Sequence, residues 1–367
     1  MKKILFLQPA FAHYREDLFA LLSKRHNIHF LFEKSKNPYP GFAKPSKISC
    51  DYIDKKFKSN ILGLIYFLYK YDGDIIVSSV SSSKRTIISF LYAALFRKKF
   101  ILWILHWKKA ACQVHGIKKV IRPFRYLITR QIIYRSHAVI VGGTASRDYA
   151  VNHGIDEKKI FTALQCSKDV NKQSGYVPIA PLARKKYTFL FLGRILSWKG
   201  LDILIKAFHL LRQKRDDVFL LIAGDGPSKE YCFNLAQSLK VRDIEFIGSI
   251  VPNKTKNIYK QADVFVLPSY ELDGYHEDWG LVVNEAMSMK LPVIATTAVG
   301  ASFDMINNGY NGFVVRQNSV RELYHAMNDI LKYDLIQMGN NSRKMFEEKN
   351  NYTKMANGFT DAIAYVV

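Results

Sequence analysis

Two glutamates, Glu277 and Glu285, stand eight positions apart in the second half of the chain, with Trp279-Gly280 between them. Apolar runs on either side predict that Glu277 lies in a loop after one strand and that Glu285 lies inside a helix opened by Gly280. Eight helical residues span about 12 Å, and free amides at a helix start bind phosphate. The arrangement fits a sugar joined to a nucleoside through a diphosphate. An ordinary loop glutamate before an amphipathic helix is the competing interpretation.

Two basic residues follow the first strand predicted in the same half. Gly193-Arg194 ends this strand, and Lys199-Gly200 opens the next helix. An arginine binds a diphosphate through two parallel hydrogen bonds, and a lysine adds a compact charge. Together they would neutralise the charge that develops on a leaving diphosphate. Alone they are more simply solvated surface residues, but beside the glutamate pair a role in a binding site is favoured.

The composition is that of a folded, strongly basic chain. Its 367 residues suffice for two domains. The net charge is +23, and it is concentrated before Gly175, where 31 Lys and Arg face 11 Asp and Glu, against 23 and 20 afterwards. Such a field should attract nucleic acid or an anionic membrane surface. The cysteines, which are too scattered to predict a disulfide framework or a metal site, favour a reducing compartment; they are Cys50, Cys112, Cys166 and Cys232.

The chain alternates apolar strand patterns with helical patterns, which is typical of parallel α/β sheets. Strands are predicted over 4–8, 29–33, 75–79, 100–106, 138–141, 160–164, 187–192, 218–223, 244–247, 264–267, 292–296 and 312–315. A polar stretch near 171–186 predicts a linker between domains 1–175 and 176–354, and 355–367 predicts a last helix. We expect the ligand at the carboxyl ends of the strands, in a cleft between the halves. No secretory signal and no membrane-spanning run is apparent.

The second half resembles the retaining glycosyltransferases of family four. The motifs that carry the resemblance occur in family order over about 130 residues, and they are Gly193-Arg194, Lys199-Gly200, Gly224-Asp225-Gly226-Pro227, Phe246-Ile247-Gly248, the E-x7-E pair Glu277 and Glu285, Leu291-Pro292-Val293-Ile294 and Asn311-Gly312-Phe313-Val314-Val315. The resemblance implies an α/β structure of the GT-B type, with two Rossmann-like domains facing each other across a cleft. It also implies that the C-terminal helix returns to the N-terminal domain.

The resemblance also implies roles for individual residues. Arg194 and Lys199 would bind the donor diphosphate, Glu285 the ribose hydroxyls, and Glu277 would lie near the donor sugar. The expected nucleotide-sugar site comprises Gly193, Arg194, Lys199, Ile247, Gly248, Glu277, Gly280, Leu281, Val282 and Glu285. Gly224 to Pro227 is interpreted as a structural turn. An acidic insert before Glu277, and an aspartate, Asp304, in place of the usual glutamate, depart from the family pattern.

The first half carries fewer of the family's signals. His106 is predicted at a strand end, where the family often has a histidine near the donor sugar, and Trp107 replaces the usual glycine. The double glycine that many members carry after the first strand is missing, so this loop is assigned to binding of the acceptor. The expected acceptor residues are Phe11, His13, Tyr14 and Arg15 of the loop, together with Trp107. Asp72-Gly73-Asp74 is interpreted as a turn and not as a metal site. No metal and no cofactor is expected.

Basic and apolar residues interleave in the segments 55–70, 97–99 and 117–135, a pattern that favours contact with anionic lipid. For any single helix, a half-buried helix with a solvated basic face is the simpler interpretation. Because the whole domain carries a large positive charge, contact with the membrane is the preferred interpretation for these segments taken together.

The functional hypothesis is a retaining glycosyltransferase, peripheral on the inner face of the cell membrane and otherwise cytoplasmic. It would move a sugar, from a UDP-sugar by family frequency, to a lipid-linked saccharide in the synthesis of a bacterial surface polysaccharide such as lipopolysaccharide or capsule. Its catalytic residues would be Glu277, Arg194, Lys199 and His106. A GT-B epimerase of nucleotide-sugars is the first alternative. A basic nucleic-acid-binding protein is the second, but no nucleic-acid module is recognisable in the sequence.

Overall fold

The computed structural model describes residues 2–35, 48–57, 60–79, 83–107, 117–173, 186–251 and 254–367. Within these ranges the chain forms two compact units. Unit 1 runs to Trp107, continues from Ile117 to Cys166, and includes the C-terminal Asn351–Val367. Unit 2 runs from Ser167 to Asn350.

Unit 1 is built on a parallel sheet whose described strands follow the order β3-β2-β1-β4-β5-β6-β7. Its elements are β1 (Lys3–Ala10), α1 (Glu16–Arg25), β2 (Asn27–Lys34), β3 (Cys50–Tyr52), α2 (Ile53–Lys56), α3 (Asn60–Tyr71), β4 (Ile75–Ser79), α4 (Lys84–Leu95), β5 (Lys99–Ile104), α5 (Ile117–Arg135), β6 (Ala138–Val141), α6 (Thr144–Asn152), β7 (Ile160–Thr162) and, at the end of the chain, the helix Tyr352–Val366. The central strands β4, β5 and β6 are buried on both faces, which explains their almost continuous apolar runs.

The two faces of this sheet carry different helices. One face packs against α1 and the C-terminal helix, where the Phe6 ring lies 5.5 Å from Phe19 and 5.7 Å from Phe359. The other face packs against α3 to α6. A Cβ on Gly358 would lie 2.2 Å from the Thr162 carbonyl oxygen, so glycine lets the C-terminal helix approach β7 closely. The expected return of this helix to the N-terminal domain is confirmed.

Unit 2 has a parallel sheet with the described strand order β10-β9-β8-β11-β12-β13, the order of a doubly wound fold. Its elements are β8 (Tyr187–Leu192), α7 (Leu201–Arg212), β9 (Val218–Ala223), α8 (Lys229–Ser238), β10 (Ile244–Gly248), α9 (Thr255–Tyr259), β11 (Val264–Leu267), α10 (Leu281–Ser288), β12 (Val293–Thr296), α11 (Ser302–Met305), β13 (Gly312–Val315), α12 (Val320–Ile330) and α13 (Leu335–Lys349). The C-terminal helix of unit 1 is α14. The predicted fold class, two Rossmann-like α/β domains of the GT-B type, is confirmed.

Unit 2 begins earlier than the expected boundary at Gly175. Asn350 joins its two ends, because its Oδ1 accepts from the Ser167 amide at 2.8 Å and its Nδ2 donates to the Ser167 carbonyl at 2.8 Å. Asp169 forms an ion pair with Arg343 at 2.8 Å. These contacts hold residues 167–173 against α13 and Asn350 of unit 2. Residues 174–185, the centre of the predicted linker, lie outside the described residues.

Three elements were not predicted from the sequence, and they are β3, the short helix α2 and the helix α13. The strand β3 has three half-buried residues on the sheet edge, too few for a periodic pattern, and pairing with β2 alone defines it. The helix α13 has little apolar content, but Met338, Ser342, Met345 and Phe346 form one buried stripe. Its start is capped by Asp334, whose carboxylate accepts from the amides of Ile336 and Gln337.

Candidate functional site

The loop after β8 is held against the loop after β9 at the carboxyl edge of the unit 2 sheet. The Ile195 amide donates to the Asp225 carbonyl at 2.9 Å, and the Ser228 amide donates to the Ile195 carbonyl at 3.1 Å. A Cβ on Gly224 would lie 1.9 Å from the Gly193 carbonyl oxygen. The Gly224–Pro227 turn therefore supports the loop that carries Arg194, whose side chain is exposed.

Lys199 lies on a 3₁₀ turn that is fastened to the chain leaving β11. Gly200, which ends the turn, has φ 72°, and a Cβ there would lie 2.0 Å from the Pro268 carbonyl oxygen. Glycine is required for both reasons. The Tyr270 amide donates to the Trp198 carbonyl at 2.8 Å. These contacts fix the lysine beside the segment that follows β11.

Lys199 and Glu277, 78 positions apart, form an ion pair between Nζ and Oε2. The side chains are only 14% and 15% exposed, so water screens the pair much less than a surface pair. Glu277 is held by its backbone, since its amide donates to Ala298 at 3.2 Å and its carbonyl accepts from Gly300 at 2.9 Å. A diphosphate arriving here would compete with Glu277 for the lysine.

The start of α10 presents free backbone amides. Gly280 precedes the helix with φ 90° and has no side chain that could cap it. The amides of Leu281 and Val282, the first two helical residues, are therefore available to an anion, with the positive end of the helix dipole behind them. The buried indole of Trp279 donates to Asn284 Oδ1 at 2.8 Å and fastens the preceding loop to the helix.

Glu285 lies one helical turn further along α10 and is bonded to a tyrosine that the sequence analysis missed. The Tyr259 hydroxyl donates to Glu285 Oε2 at 2.9 Å. Burial raises the pKa of Glu285 to about 7, and the hydrogen bond from Tyr259 offsets part of the rise. Tyr259 is fully buried at the end of α9, and no motif pointed to it.

The end of β10 reaches the same edge of the sheet. The Gly248 carbonyl accepts from the Gly224 amide at 2.7 Å, which ties Ile247 and Gly248 to the supporting turn. Gly248 has φ 76°, and no described atom lies within 4 Å of the position of a Cβ. This open backbone is compatible with the predicted contact to a base.

The acidic insert forms a short hairpin that leads into Glu277. Leu272 and Tyr275 exchange backbone hydrogen bonds of 3.0 and 2.8 Å. Between them Asp273 and Gly274 have φ 49° and 77°, the left-handed pair of a two-residue hairpin turn. Tyr275, which follows this turn, is 61% exposed. The idea that this insert adjusts sugar or acceptor choice stays a prediction.

In unit 1, the segments after β5 and β1 lie at the carboxyl edge of the sheet. Strand β5 ends at Ile104, two residues earlier than expected, and His106 follows it with its ring edge-on to Tyr149 at 5.1 Å. Trp107 packs against the core beneath α3 to α6. The roles proposed for His106 and Trp107 stay predictions.

The predicted acceptor loop is only partly available for binding. Phe11 is 5% exposed, and its ring is edge-on to Phe32 at 5.8 Å, so it is a core residue and its assignment to the acceptor is corrected. Arg15 donates to Gln8 Oε1 at 2.8 Å, and its guanidinium stacks over Trp103 at 4.5 Å. His13 and Tyr14 pack edge to face. The last three, His13, Tyr14 and Arg15, remain candidates.

No group of three or more metal-ligating side chains occurs within the described ranges. In Asp72-Gly73-Asp74, the first carboxylate pairs with Lys98 at 2.7 Å and the second accepts from the Lys3 amide at 2.8 Å. This is the hydrogen-bonded turn expected before β4. Across the part of the chain that the structure describes, none of the helices is long and apolar enough to span a bilayer.

The chain is similar to known glycosyltransferases in sequence and in fold. Residues 177–351 match the family model for glycosyl transferases group 1. An uncharacterized glycosyltransferase of Methanocaldococcus jannaschii is 23% identical over 299 residues, 79% of this chain and 75% of that protein. The next curated relatives are matched over about a third to a half of their own length.

One further relative and one solved structure carry more specific names. The capsular polysaccharide biosynthesis glycosyltransferase CapM of Staphylococcus aureus is 27% identical over 176 residues, 46% of this chain and 43% of that protein. The solved structure of Anabaena HepE in complex with UDP and glucose is similar with a TM-score of 0.73, over 99% of this chain and 100% of that one, at 16% identity. The sequence matches support glycosyltransferase activity, and the likeness to the solved structure shows the fold alone.

Proposed function

We propose that the protein is a retaining glycosyltransferase that moves a sugar from a UDP-sugar to a hydroxyl of a saccharide acceptor. The observation that carries the proposal is the set of groups at one edge of the unit 2 sheet. It contains an arginine, a lysine paired with a glutamate, an uncapped helix start and a second glutamate one turn into that helix. Few ligands other than a nucleoside diphosphate sugar match all of these groups.

The spacing within α10 suits the donor. Glu285 comes four positions after Leu281, about 6 Å along the helix axis. A phosphate on the Leu281 and Val282 amides would therefore place the attached ribose beside Glu285, whose ionised carboxylate accepts from hydroxyl groups. Arg194 and Lys199 would bind the rest of the diphosphate, and the open backbone at Gly248 would contact the base.

The reaction breaks the bond between the sugar C1 and the diphosphate oxygen. The diphosphate leaves with the electron pair, and its charge is neutralised by Arg194, Lys199 and the start of α10. The acceptor hydroxyl attacks C1 from the same face, and its proton passes to the leaving phosphate oxygen. The anomeric configuration is retained without a covalent enzyme intermediate. Glu277 releases Lys199 to the diphosphate and turns to the donor sugar.

The acceptor is assigned to unit 1 through His13, Tyr14 and Arg15, with His106 on the donor sugar as the family resemblance implies. We propose a lipid-linked saccharide of a bacterial surface polysaccharide, handled at the cytoplasmic face of the membrane. The name of the S. aureus relative, a capsular polysaccharide enzyme, supports this substrate class, and the UDP bound in the solved Anabaena structure supports UDP as the nucleotide.

The test is calorimetric titration of UDP, GDP and ADP into the wild type, Lys199→Ala and Lys214→Ala. Lys214 is an exposed lysine just beyond α7 and serves as the matched control. We expect UDP binding by the wild type and the control, with at least a tenfold loss in Lys199→Ala, since a charge-assisted contact is worth about 1.5–3 kcal/mol. Absence of binding for all three nucleotides would contradict the donor site.

A second measurement separates transfer from rearrangement of the donor. Proton NMR of the UDP-sugar with enzyme but without acceptor should show an unchanged sugar, apart from slow hydrolysis. Conversion to an epimer would replace the transferase assignment.

A further inference from the structure

One side of unit 1 exposes large apolar side chains on three neighbouring helices. Helices α3, α4 and α5 lie on the same face of the sheet, and their inner sides share one core. Their outer sides expose Leu62 by 65%, Tyr69 by 75%, Leu91 by 59%, Leu95 by 75%, Phe124 by 61% and Leu127 by 53%. These six residues define the α3–α5 face. Helix α1, on the opposite side of the sheet, exposes no large apolar side chain in its described range.

The exposed residues are regularly spaced. In α3, Leu62, Tyr66 and Tyr69 form one outward stripe, while Leu64, Phe67 and Leu68 form the buried one. In α4, Leu91 and Leu95 are one turn apart. A surface helix normally turns a polar side to water, whereas a helix that is apolar on both sides is covered by something. The α3–α5 face is therefore expected to have an apolar partner.

The charge around this face has one sign. Helices α3, α4 and α5 contain no Asp or Glu, and residues 60–135 contain 14 Lys and Arg against 2 Asp and Glu. The two acids, Asp72 and Asp74, are engaged by Lys98 and by the Lys3 amide in the turn before β4. Among the basic side chains on these helices, Lys70, Lys84, Arg130 and Arg135 are exposed, and so is Arg97 just after α4.

We propose that the α3–α5 face docks on an anionic phospholipid surface. Its leucine and aromatic side chains enter the boundary between head groups and acyl chains, and its Lys and Arg side chains bind the head-group phosphates. This inference deepens the proposed function, because a lipid-linked acceptor resides at such a surface. It concerns residues distinct from those of the nucleotide-sugar site.

The charge of the face disfavours a second copy of the chain as the partner. A second copy of the chain docked by a two-fold axis would place this basic surface against itself, and like charges would oppose the contact. A nucleic acid would satisfy the basic residues but would leave the leucines in water. An anionic bilayer supplies both an acyl phase and negative charge.

The first experiment measures partition of the full-length protein onto vesicles by co-sedimentation. The vesicles are phosphatidylcholine alone or an equal mixture with phosphatidylglycerol. We expect strong binding to the mixture, weakened by salt, because each Lys or Arg near an anionic surface adds about fivefold to the partition constant at low ionic strength. Absence of wild-type binding to the mixture would overturn the proposal.

Matched variants locate the contact. Leu91→Ser with Leu95→Ser should lower the partition constant at least tenfold, because two exposed leucines lose their burial in the acyl boundary. The control is Tyr231→Ser with Ile336→Ser, two side chains of unit 2 that are 58% and 80% exposed. An equal loss in the control would overturn the assignment of the face.

Charge variants test the contribution of the Lys and Arg side chains to binding. Arg130→Glu with Arg135→Glu should reduce binding to the anionic mixture by tenfold or more, whereas Lys214→Glu with Lys344→Glu, with the same change in net charge, should have a smaller effect. Equal effects would show a general charge attraction without this face and would overturn the proposal.

Two readouts separate this proposal from others. Calorimetric UDP binding should be unchanged in the Leu91 and Leu95 variant, so that failure of docking and failure of the donor site are seen independently. Light scattering should give the 42.3 kDa monomer mass for wild type and variant. A larger wild-type mass that falls in the variant would show that a second copy covers the face, and the lipid proposal would be wrong.

Discussion

At the scale of single residues, the ion pair between Lys199 and Glu277 assigns the lysine to the donor diphosphate and the glutamate to the donor sugar. The pair is shielded from water, and the lysine cannot bind a diphosphate fully while the glutamate holds it. Donor binding then exchanges one anionic partner of the lysine for another. The carboxylate that is released is already beside the place where the donor sugar is expected.

Glu277→Ala should therefore separate binding from turnover. We expect UDP to bind as tightly as in wild type or more tightly, because the competing carboxylate is gone. The kcat for transfer should fall by about 10²–10³. The measurement combines UDP calorimetry with steady-state kinetics, and Glu230→Ala, an exposed glutamate of α8, is the control. Near-normal turnover in Glu277→Ala would remove the catalytic assignment.

Glu285 gives a pH dependence whose sign can be worked out. Its pKa of about 7 in the folded protein means that the carboxylate forms only as the pH rises through 7. Because the ionised form accepts from both ribose hydroxyls, UDP affinity should increase from pH 6 to pH 8, by up to about tenfold. Calorimetry across this range checks the expectation, and Glu285→Gln should show a flat profile.

Tyr259→Phe tests the cause of that pKa. The Tyr259 hydroxyl stabilises the carboxylate at 2.9 Å and lowers its pKa, so removing the hydroxyl should move the midpoint of UDP affinity to higher pH. Tyr231→Phe, an exposed tyrosine of α8, is the control. An unchanged midpoint in Tyr259→Phe would show that Glu285 does not determine the profile.

At the scale of elements, the site depends on turns that hold loops at the carboxyl edge of the sheet. A Cβ on Gly200 or on Gly224 would lie about 2 Å from a backbone carbonyl oxygen, so only glycine fits at these two positions. The oxygen that approaches Gly224 belongs to Gly193. At Gly200 the contact joins the Lys199 turn to the end of β11, and this contact determines where the lysine lies.

Gly200→Ala and Gly248→Ala form a matched pair for this effect. Both residues are left-handed, with φ 72° and 76°, and each alanine should cost about 1–2 kcal/mol for that reason. Only at Gly200 would the new Cβ meet a backbone atom, at 2.0 Å from Pro268 O. We expect Gly200→Ala to lower the free energy of unfolding in urea clearly more than Gly248→Ala. Equal losses would contradict the structural role of the close contact.

At the scale of the whole molecule, the chain leaves unit 1, forms unit 2 and returns to complete the first unit with α14. Met355, Ala356, Phe359 and Ala362 of this helix are buried in the unit 1 core. The stability of the N-terminal unit therefore depends on the last residues of the chain.

Phe359→Ala should destabilise unit 1 by about 3–5 kcal/mol, while UDP affinity, a property of unit 2, changes little. Tyr365→Ala, on the same helix but 51% exposed, is the control. Hydrogen exchange followed by mass spectrometry would show the loss of protection in β1, β4 and β5. A matching loss across unit 2 would contradict the division into two units.

The sequence alone predicted most of the strands and the position of the donor motifs along the chain. Parallel strands are buried on both faces, so they appear as apolar runs, and motifs that directly follow such runs must lie at the carboxyl edge of the sheet. Gly193-Arg194, Lys199-Gly200 and Glu277 could be placed in this way because the signal for each is local.

What the tertiary structure decided concerns contacts between distant segments. The partner of Lys199 is 78 residues away, and Tyr259 reaches Glu285 across 26. Phe11 could be assigned to a core only when its neighbour Phe32 was known. Local patterns give the conformation of a segment, whereas packing determines which side chain lies beside which and which side of a helix remains in water. The partners of Glu277 and Glu285 and the exposed side of the α3–α5 face were therefore known only from the tertiary structure.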